Sequence, residues 1–391
     1  MIIIFAFGYR WLEVKNDRAQ MADFRVYHDA ASALRDGSEM YGKSFGIDSG
    51  FYKYSPTAAL IFVPFTFLSY AVSSALYYGL IVLGILAVFF VLLKRLEHET
   101  GPLKKVGWVL LIGALFMADH FERELHLGNV NLFLMLLAFA VFLSLQNGRE
   151  WLAGALFALI VLFKPHFLIL APWVIWKQHW RAVFSFFITL PLLMLLPVLV
   201  VGWNETLLLH SQWFHAMRDH NIHLAQSPNT IYGLVNSISF KPMGMIPGAW
   251  FVPFVFFLMA VSLLAYVMFI DSRKPQWKAM EYMEFFLPVA LIPNLVHTDT
   301  EHFMWTLPLI LLLAVLLWKR WDGKFWIIIA MVVALIPYAI NSPDIVGRKV
   351  MLLFDEGGLL GLSNLVLVVC AAVAHVRWNR HKAMEEVHPE I

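Results

Sequence analysis

The chain alternates between apolar runs and short polar segments. The apolar runs lie at 71–93, 106–118, 129–145, 151–163, 167–176, 182–201, 250–270, 285–296, 303–318, 325–340 and 358–376. A bilayer core of roughly 30 Å needs about 20 helical residues per crossing, so continuous apolar stretches of this kind indicate membrane helices. The pattern predicts an all-α polytopic integral membrane protein that forms a single membrane domain over residues 1–391.

Two further apolar pieces are too short to cross a bilayer as simple helices. Residues 57–70 contain Pro64, and we interpret them as a juxtamembrane or re-entrant segment. Residues 1–9 have neither the basic start nor the small-residue cleavage site of a signal peptide. They are compatible with the end of a first span or with a short interfacial helix beside Trp11.

The composition points to the same class of protein. Apolar residues make up 60% of the 391, including 33 Phe, and the mean hydropathy is +0.69. A formal net charge of +2 favours no charged partner, so nucleic-acid binding is not expected. The single cysteine, Cys370, excludes a disulfide within one chain.

The orientation depends on how residues 151–176 are interpreted. They form either one helix with Lys164 at mid-bilayer or two short helices that meet at Lys164-Pro165-His166. Two helices would place eleven of the downstream Lys and Arg residues on the cytoplasmic side and four outside, in agreement with the positive-inside rule. This arrangement also removes an isolated charge from the bilayer centre, so we predict a break at Lys164.

In this topology the polar segments gather on the extracytoplasmic side. They include a first outer loop at 13–55, a long loop at 203–249 and "HTDTEH" at 297–302, together with ten of the fifteen histidines. Longer outer loops account for part of this excess. Titratable groups crowded on one face of a membrane protein nevertheless indicate where chemistry is to be sought.

Several of these segments resemble one known family. They are "DFRVYHDAASALRDGSEMYG" at 23–42, "YKYSP" at 52–56, "LGNVNLFLMLL" at 127–137, "GALFALIVLFKPHFLIL" at 154–170 and "SPNTIYGL" at 227–234. Together they are similar to glycosyltransferase family 87, which belongs to the C-type membrane glycosyltransferases. The resemblance implies a C-type fold with about 11–13 membrane helices and an active site on the extracytoplasmic loops.

The resemblance also implies a reaction. Family members move a sugar, usually mannose, from a polyprenyl-phosphate donor to an acceptor hydroxyl with inversion, so this chain is expected to be a hexosyltransferase. Asp23 matches the acidic residue that acts as base, because the attacking hydroxyl must lose a proton. Fixed cations must offset the charge that develops on the leaving lipid phosphate. The expected partners are the lipid-linked sugar and a lipid or glycan acceptor, in the inner (cytoplasmic) membrane.

The remaining site residues follow from their place in these polar segments. Lys164, Arg123, His297 and His302 are the predicted contacts of the donor phosphate or sugar. Tyr27, Asp29, Glu122 and Tyr54 are the predicted lining of the acceptor cavity. For each of them a solvated loop residue or a snorkelling side chain is the simpler alternative, and Asp29 is the rival to Asp23 as base.

Residues 119–129 contain two pairs of side chains that could bind a metal ion. His120 and Glu124, and likewise Glu122 and His126, have the i,i+4 spacing that places two ligands on one side of a helix. An exposed amphipathic turn shows the same spacing, so no metal and no other cofactor is expected.

Two other functions remain open at this stage. Polar groups between membrane helices and a helix broken at Lys-Pro also describe a transporter or flippase, although no internal repeat is visible. An O-antigen-ligase-like enzyme would use a lipid diphosphate donor, and its decisive residues would lie in the loop 203–249.

Overall fold

The structure is a computed structural model that carries side chains. It describes residues 2–46, 50–100, 106–220, 224, 227–245, 248, 250–255, 258–259, 262, 278–297, 299–319 and 325–387. Within these ranges the chain is helical, and extended pairing is limited to one isolated bridge between Ser44 and Phe51.

The helices follow one another with short connections. In chain order they are α1 Ile2–Lys15, α2 Ala22–Asp36, α3 Pro56–Phe62, α4 Tyr70–Thr100, α5 Val106–Phe116, α6 Ala118–Leu127, α7 Asn131–Gln146, α8 Glu150–Phe163, α9 Ala171–Trp176, α10 Trp180–Met194, α11 Val198–Val201, α12 Trp203–His220, α13 Ile231–Val235, α14 Lys278–Leu291, α15 Leu307–Lys319, α16 Phe325–Ile340, α17 Pro343–Val346, α18 Arg348–Glu356 and α19 Leu359–Val387. Two compact units result, the first made of Met1–Val91 and Phe121–Ile222, the second of Leu92–His120 and His223–Ile391.

The predicted apolar runs form helices. In the described part of the chain, four stretches are long and apolar enough to cross a membrane: Tyr70–His98, Trp180–Val201, Thr300–Leu317 and Leu359–Arg377. Shorter apolar helices occupy Pro56–Phe67, Gly107–Phe116, Glu150–Phe163, Pro165–Trp176 and Phe325–Ile340. The all-α polytopic membrane class is thus confirmed. Most of the predicted run at 250–270 lies outside the described residues, and the single membrane domain stays a prediction.

The first unit turns an apolar surface outward. On α10 the side chains of Phe184, Phe187, Ile188 and Leu192 are each more than half exposed. Water would penalise so much exposed apolar area, whereas lipid tails solvate it, because a bilayer interior is as apolar as these side chains. The outer face of α10 is therefore a lipid-facing surface.

The inner face of α10 packs closely on α8 through a small residue. A Cβ atom added at Gly154 would lie 2.2 Å from the Ala182 carbonyl oxygen and 2.6 Å from the Ser185 Cβ. The Ser185 hydroxyl donates a hydrogen bond of 2.6 Å to the Trp151 carbonyl across the same interface. A small residue that allows backbones to approach, reinforced by an interhelical hydrogen bond, is typical of membrane helix packing.

The N-terminal residues form α1, which packs within the first unit through polar contacts. Tyr9 donates a hydrogen bond to Glu122 on α6, and Glu13 pairs with His126 one turn further along. The Tyr78 hydroxyl on α4 donates to the Ala6 carbonyl at 2.7 Å. Both members of one suspected metal pair, Glu122 and His126, are therefore contacts of α1.

The second unit contains a buried polar network centred on Asn364 of α19. Its amide nitrogen donates to the Ala290 carbonyl at 2.7 Å and to Asn294 Oδ1 at 2.6 Å. Its amide oxygen accepts from the hydroxyls of Thr306 and Tyr338, at 2.7 and 2.6 Å. All four side chains are fully buried, so these hydrogen bonds tie α14, the turn that precedes α15, α16 and α19 together.

Candidate functional site

Asp23 lies in the first turn of α2 and is half-buried. The helix begins directly after Met21, whose backbone is in the left-handed region with φ of 47°. Such a conformation in a non-glycine residue is uncommon and is usually held by its surroundings. Here the Tyr70 hydroxyl donates a hydrogen bond of 2.6 Å to the Gln20 carbonyl, and its oxygen lies 3.2 Å from the Met21 carbonyl oxygen. A carboxylate at this end of a helix is stabilised by the helix dipole.

Opposite α2, the chain bends sharply between α6 and α7. The two helix axes differ in direction by 113°, and the turn consists of Gly128, Asn129 and Val130. Gly128 has φ of +71°, and a Cβ there would lie 2.8 Å from Met21 Cε and from Phe24 Cβ. Glycine is required for both reasons, since it permits this backbone conformation and the close approach to the start of α2.

Asn129 of this bend holds Asp23. Its Nδ2 donates to Asp23 Oδ2 at 2.7 Å, and its Oδ1 accepts from the Val130 backbone N–H at 2.7 Å and from the Tyr27 hydroxyl at 3.2 Å. The backbone N–H can only donate, so the carbonyl side of the amide must face it and the NH₂ side must face the carboxylate. The orientation of the Asn129 amide, and with it the hydrogen bond that it donates to the Asp23 carboxylate, is therefore fixed.

Two predicted cavity residues, Tyr27 and Tyr54, continue from Asn129. Their hydroxyl oxygens are 3.2 Å apart. Burial, followed by the nearby Tyr54 and Asp23, raises the pKa of Tyr27 well above its ordinary value, so its hydroxyl stays protonated. Because Tyr27 has one proton and gives it to Asn129, Tyr54 is the donor between the two tyrosines.

The chain breaks at Lys164, as the sequence predicts. Helix α8 ends at Phe163, Lys164 is extended with φ of −137° and ψ of 99°, and a 3-10 turn follows at Pro165–Leu170. The break places a buried lysine at the end of an apolar helix, since Lys164 is only 5% exposed. Its Nζ donates to Asn131 Oδ1 at 2.7 Å and lies 5.8 Å from the centre of the Tyr54 ring.

Asn131 joins this lysine to a buried carboxylate. Its Nδ2 donates to Glu124 Oε2 at 3.2 Å, and Glu124 Oε1 accepts the Leu132 backbone N–H at 2.8 Å. Glu124 thus caps α7 across the bend, where its negative charge meets the positive end of the helix. Both Asn131 and Glu124 are fully buried.

The bend therefore connects a carboxylate and an ammonium group within the first unit. Asp23 is bonded to Asn129, Lys164 is bonded to Asn131, and Val130 alone separates the two amides in sequence. A half-buried carboxylate can accept a proton, and a lysine can offset negative charge on a phosphate. The arrangement has the groups that transfer from a sugar phosphate requires.

The structure does not bring every predicted residue to this point. Asp29 lies six residues along α2, and its Oδ1 is 2.9 Å from Nδ1 of His28. Glu122 bonds Tyr9, and Arg123 is half-buried beside it on α6. Asp29 and Glu122 thus contact other residues, His28 and Tyr9, and the roles assigned to all three predicted residues stay predictions.

The two predicted histidines lie in the second unit. His297 is exposed, and its Nδ1 is 3.0 Å from the Ser227 hydroxyl, while His302 is buried with its Nδ1 3.3 Å from the Asp299 carbonyl. Asn294 Nδ2 donates to the Asn229 carbonyl at 2.9 Å. Within this unit, "SPNT" at 227–230 and the segment before "HTDTEH" are therefore neighbours, which the sequence did not indicate.

Across the described ranges, no three His, Cys, Asp or Glu side chains are grouped so that they could hold a metal ion. The members of the other suspected pair have different contacts: His120 Nδ1 is 2.7 Å from the Thr300 carbonyl, and Glu124 caps α7.

The residues that sequence reasoning missed are Asn129, Asn131 and Glu124. The two asparagines were visible only as part of "LGNVN", and Glu124 only as a metal candidate. A glycine followed by two asparagines at the junction of an amphipathic and an apolar helix was the available signal, because asparagine favours turns and helix starts.

Comparison with known proteins adds to this geometry. The chain is 24% identical over 177 residues to an alpha-(1->3)-arabinofuranosyltransferase of Corynebacterium glutamicum. The aligned residues are 45% of this chain and 42% of that relative. It is 28% identical over 166 residues to an alpha-(1->3)-arabinofuranosyltransferase of Mycobacterium tuberculosis H37Rv. These residues are 41% of this chain and 37% of that relative. The chain thus matches about two fifths of the length of these curated relatives.

The family comparison covers more of the chain. The model of glycosyltransferase family 87 matches residues 51–293, a range that contains Tyr54, the bend at Gly128–Asn131, Lys164 and the "SPNT" turn. Asp23 precedes the matched range, and His297 and His302 follow it. Because the match extends over more than half of the sequence, the chain belongs to glycosyltransferase family 87.

Proposed function

We propose that the chain transfers a sugar from a polyprenyl-phosphate donor to an acceptor hydroxyl, with inversion and with Asp23 as general base. The observation that carries the proposal is the bend at Gly128–Asn131, which bonds the Asp23 carboxylate through Asn129 and the Lys164 ammonium through Asn131. Membership of glycosyltransferase family 87 supports the reaction class.

The proposed step is a single displacement. The acceptor oxygen attacks the anomeric carbon, its proton passes to Asp23, and the bond between that carbon and the phosphate oxygen breaks. The bonding electrons stay on the lipid phosphate, whose added negative charge is offset by Lys164. Half-burial of Asp23 and full burial of Tyr27 limit competing water, which would otherwise hydrolyse the donor.

The donor sugar is the finer part of the proposal. The resemblance of the motifs favours mannose, whereas the curated relatives carry names that specify arabinofuranosyl transfer. We therefore take polyprenyl-phosphate-linked arabinofuranose as the first donor and the mannose donor as its competitor. The proposal also assigns the site to the extracytoplasmic side of the membrane, which the distribution of Lys and Arg in the loops supports.

The test compares purified wild type with Asp23→Asn in lipid nanodiscs. Each donor is offered with a short arabinofuranosyl oligosaccharide and, separately, with a mannosyl glycolipid, and release of the lipid phosphate is followed. We expect Asp23→Asn to lower turnover by about 10²–10⁴-fold, the range of general acid–base catalysis. Asp36→Asn is the matched control, because Asp36 lies at the far end of the same helix and is exposed.

Each outcome has a definite meaning. Wild-type turnover by Asp23→Asn would refute the assignment of the base. In liposomes that contain the purified protein, movement of the donor across the membrane without release of lipid phosphate would favour the flippase alternative. Activity restricted to a lipid diphosphate donor would favour the O-antigen-ligase-like alternative.

A further inference from the structure

The bend between α6 and α7 does more than connect two helices. We infer that Asn129 and Asn131 are positioning residues, which orient the base and the phosphate-binding cation from one rigid turn. The inference rests on the proposed function, because it assigns these two roles to Asp23 and Lys164. It adds that one amide orients the base and the other orients the cation, which the family match and the motifs do not specify.

The first support is the rigidity of the turn. Gly128 fits against Met21 and Phe24 with no room for a Cβ, and the Glu124 carboxylate closes the turn by accepting the Leu132 N–H at 2.8 Å. Asn129, Asn131 and Glu124 are at most 4% exposed. A turn that is closed by a cap and buried on both sides cannot rotate its side chains without breaking several hydrogen bonds.

The second support is the opposite orientation of the two amides. Asn129 presents its NH₂ group to the Asp23 carboxylate, because its carbonyl faces the Val130 N–H. Asn131 presents its carbonyl to the Lys164 ammonium, because its NH₂ group faces Glu124. Each amide thus matches the charge of the group that it holds, and reversing either would set two donors or two acceptors against each other.

The third support is what amide contacts allow chemically. A neutral amide takes one acceptor site of the carboxylate, or one of the three N–H donors of the ammonium, and keeps the charge of each group. The base can then accept a proton from the acceptor while the cation interacts with the phosphate.

The test uses single variants of the full chain in the transfer assay described above. Asn129→Ala should lower kcat by about 10²-fold, because a displaced base misses the near-attack geometry, with the donor KM within threefold of wild type. Asn131→Ala should instead raise the donor KM about tenfold, with a smaller effect on kcat. Asn147→Ala at the exposed far end of α7 is the matched control and should change neither parameter more than twofold.

A second variant keeps the shape of the side chain and reports on the base directly. Asn129→Asp places a carboxylate where the amide now contacts Asp23 at 2.7 Å. Two carboxylates at this distance share a proton, so the acidic limb of the pH profile of kcat/KM should move upward by one pH unit or more. If position 129 does not contact the catalytic base, that limb should stay in place.

The outcomes separate this inference from the proposed function. If Asp23→Asn is inactive while Asn129→Ala keeps kcat within threefold of wild type, or while Asn129→Asp has an unshifted profile, the positioning role is wrong and the base assignment stands. If Asn131→Ala leaves the donor KM unchanged, its half of the inference is wrong. Full activity of Asp23→Asn would overturn both proposals.

Discussion

Close packing of α8 on α10 should make Gly154 intolerant of even one added carbon. In Gly154→Ala the new Cβ would lie 2.2 Å from the Ala182 carbonyl oxygen and 2.6 Å from Ser185 Cβ. The atoms that it meets belong largely to the helix backbone, so no side-chain rotation can relieve the contact. Helix α10 must move away by about 1 Å to restore an ordinary van der Waals separation.

The expected cost follows from two terms. Overpacking of a tight interface costs about 1–3 kcal/mol in the free energy of unfolding. Separation of the helices also lengthens the 2.6 Å hydrogen bond from Ser185 to the Trp151 carbonyl, which contributes about 1 kcal/mol. Gly154→Ala should therefore destabilise the protein by about 2–4 kcal/mol.

Gly79→Ala provides the matched control. Gly79 also lies in an apolar helix, α4, and nothing stands within 4 Å of the position of an added Cβ. Alanine is the better helix former, so this variant should gain about 0.5–1 kcal/mol. Thermal unfolding of both variants in detergent, followed by tryptophan fluorescence, should lower the melting temperature for Gly154→Ala and leave it unchanged or raised for Gly79→Ala. Equal melting temperatures would refute the packing argument.

Two further predictions concern the polar contacts. Asn364→Leu should lower the free energy of unfolding by at least about 2 kcal/mol, because it leaves several buried hydrogen-bonding groups without their partner at about 1 kcal/mol or more each. Thermal unfolding checks this with Ser363→Ala as the control, and equal melting temperatures would contradict it. Glu13→Ala should release α1, so that a cysteine introduced by Ala6→Cys, at a position only 1% exposed, is labelled faster by a maleimide in a Cys370→Ser background. An unchanged labelling rate would show that the ion pair does not hold α1.

The helices were predictable because membrane spans are encoded by local composition. The run at 71–93 lies within α4, and the run at 325–340 coincides with α16. The break at Lys164 was also predictable, since a lysine followed by proline interrupts an apolar run at the one point where a charge would otherwise sit in mid-bilayer. The helices follow from neighbouring residues alone, and the break also follows from the distribution of Lys and Arg in the loops downstream of it.

The partners of the polar residues were not predictable in the same way. Glu122 and His126 have the spacing of a ligand pair on one helix, yet each contacts a different residue of α1, more than 100 positions away in the sequence. Periodicity shows which side chains share a face of a helix and leaves open what packs against that face. The same limit hid the contact between Asn129 and Asp23, which joins the bend to a helix 106 positions earlier.

The relation between the family match and the structure follows from this contact. The family model matches from residue 51 onward, so the matched range contains the bend at Gly128–Asn131 and Lys164 but not Asp23. The structure connects Asp23 to the matched range, because the start of α2 approaches Gly128 so closely that only glycine fits there. A Cβ at this position would clash with Met21 and Phe24, which flank Asp23 in the chain, and we expect it to separate Asp23 from Asn129. Gly128 is thus the residue at which the outer-loop helix α2 is joined to the part of the chain that carries the family pattern.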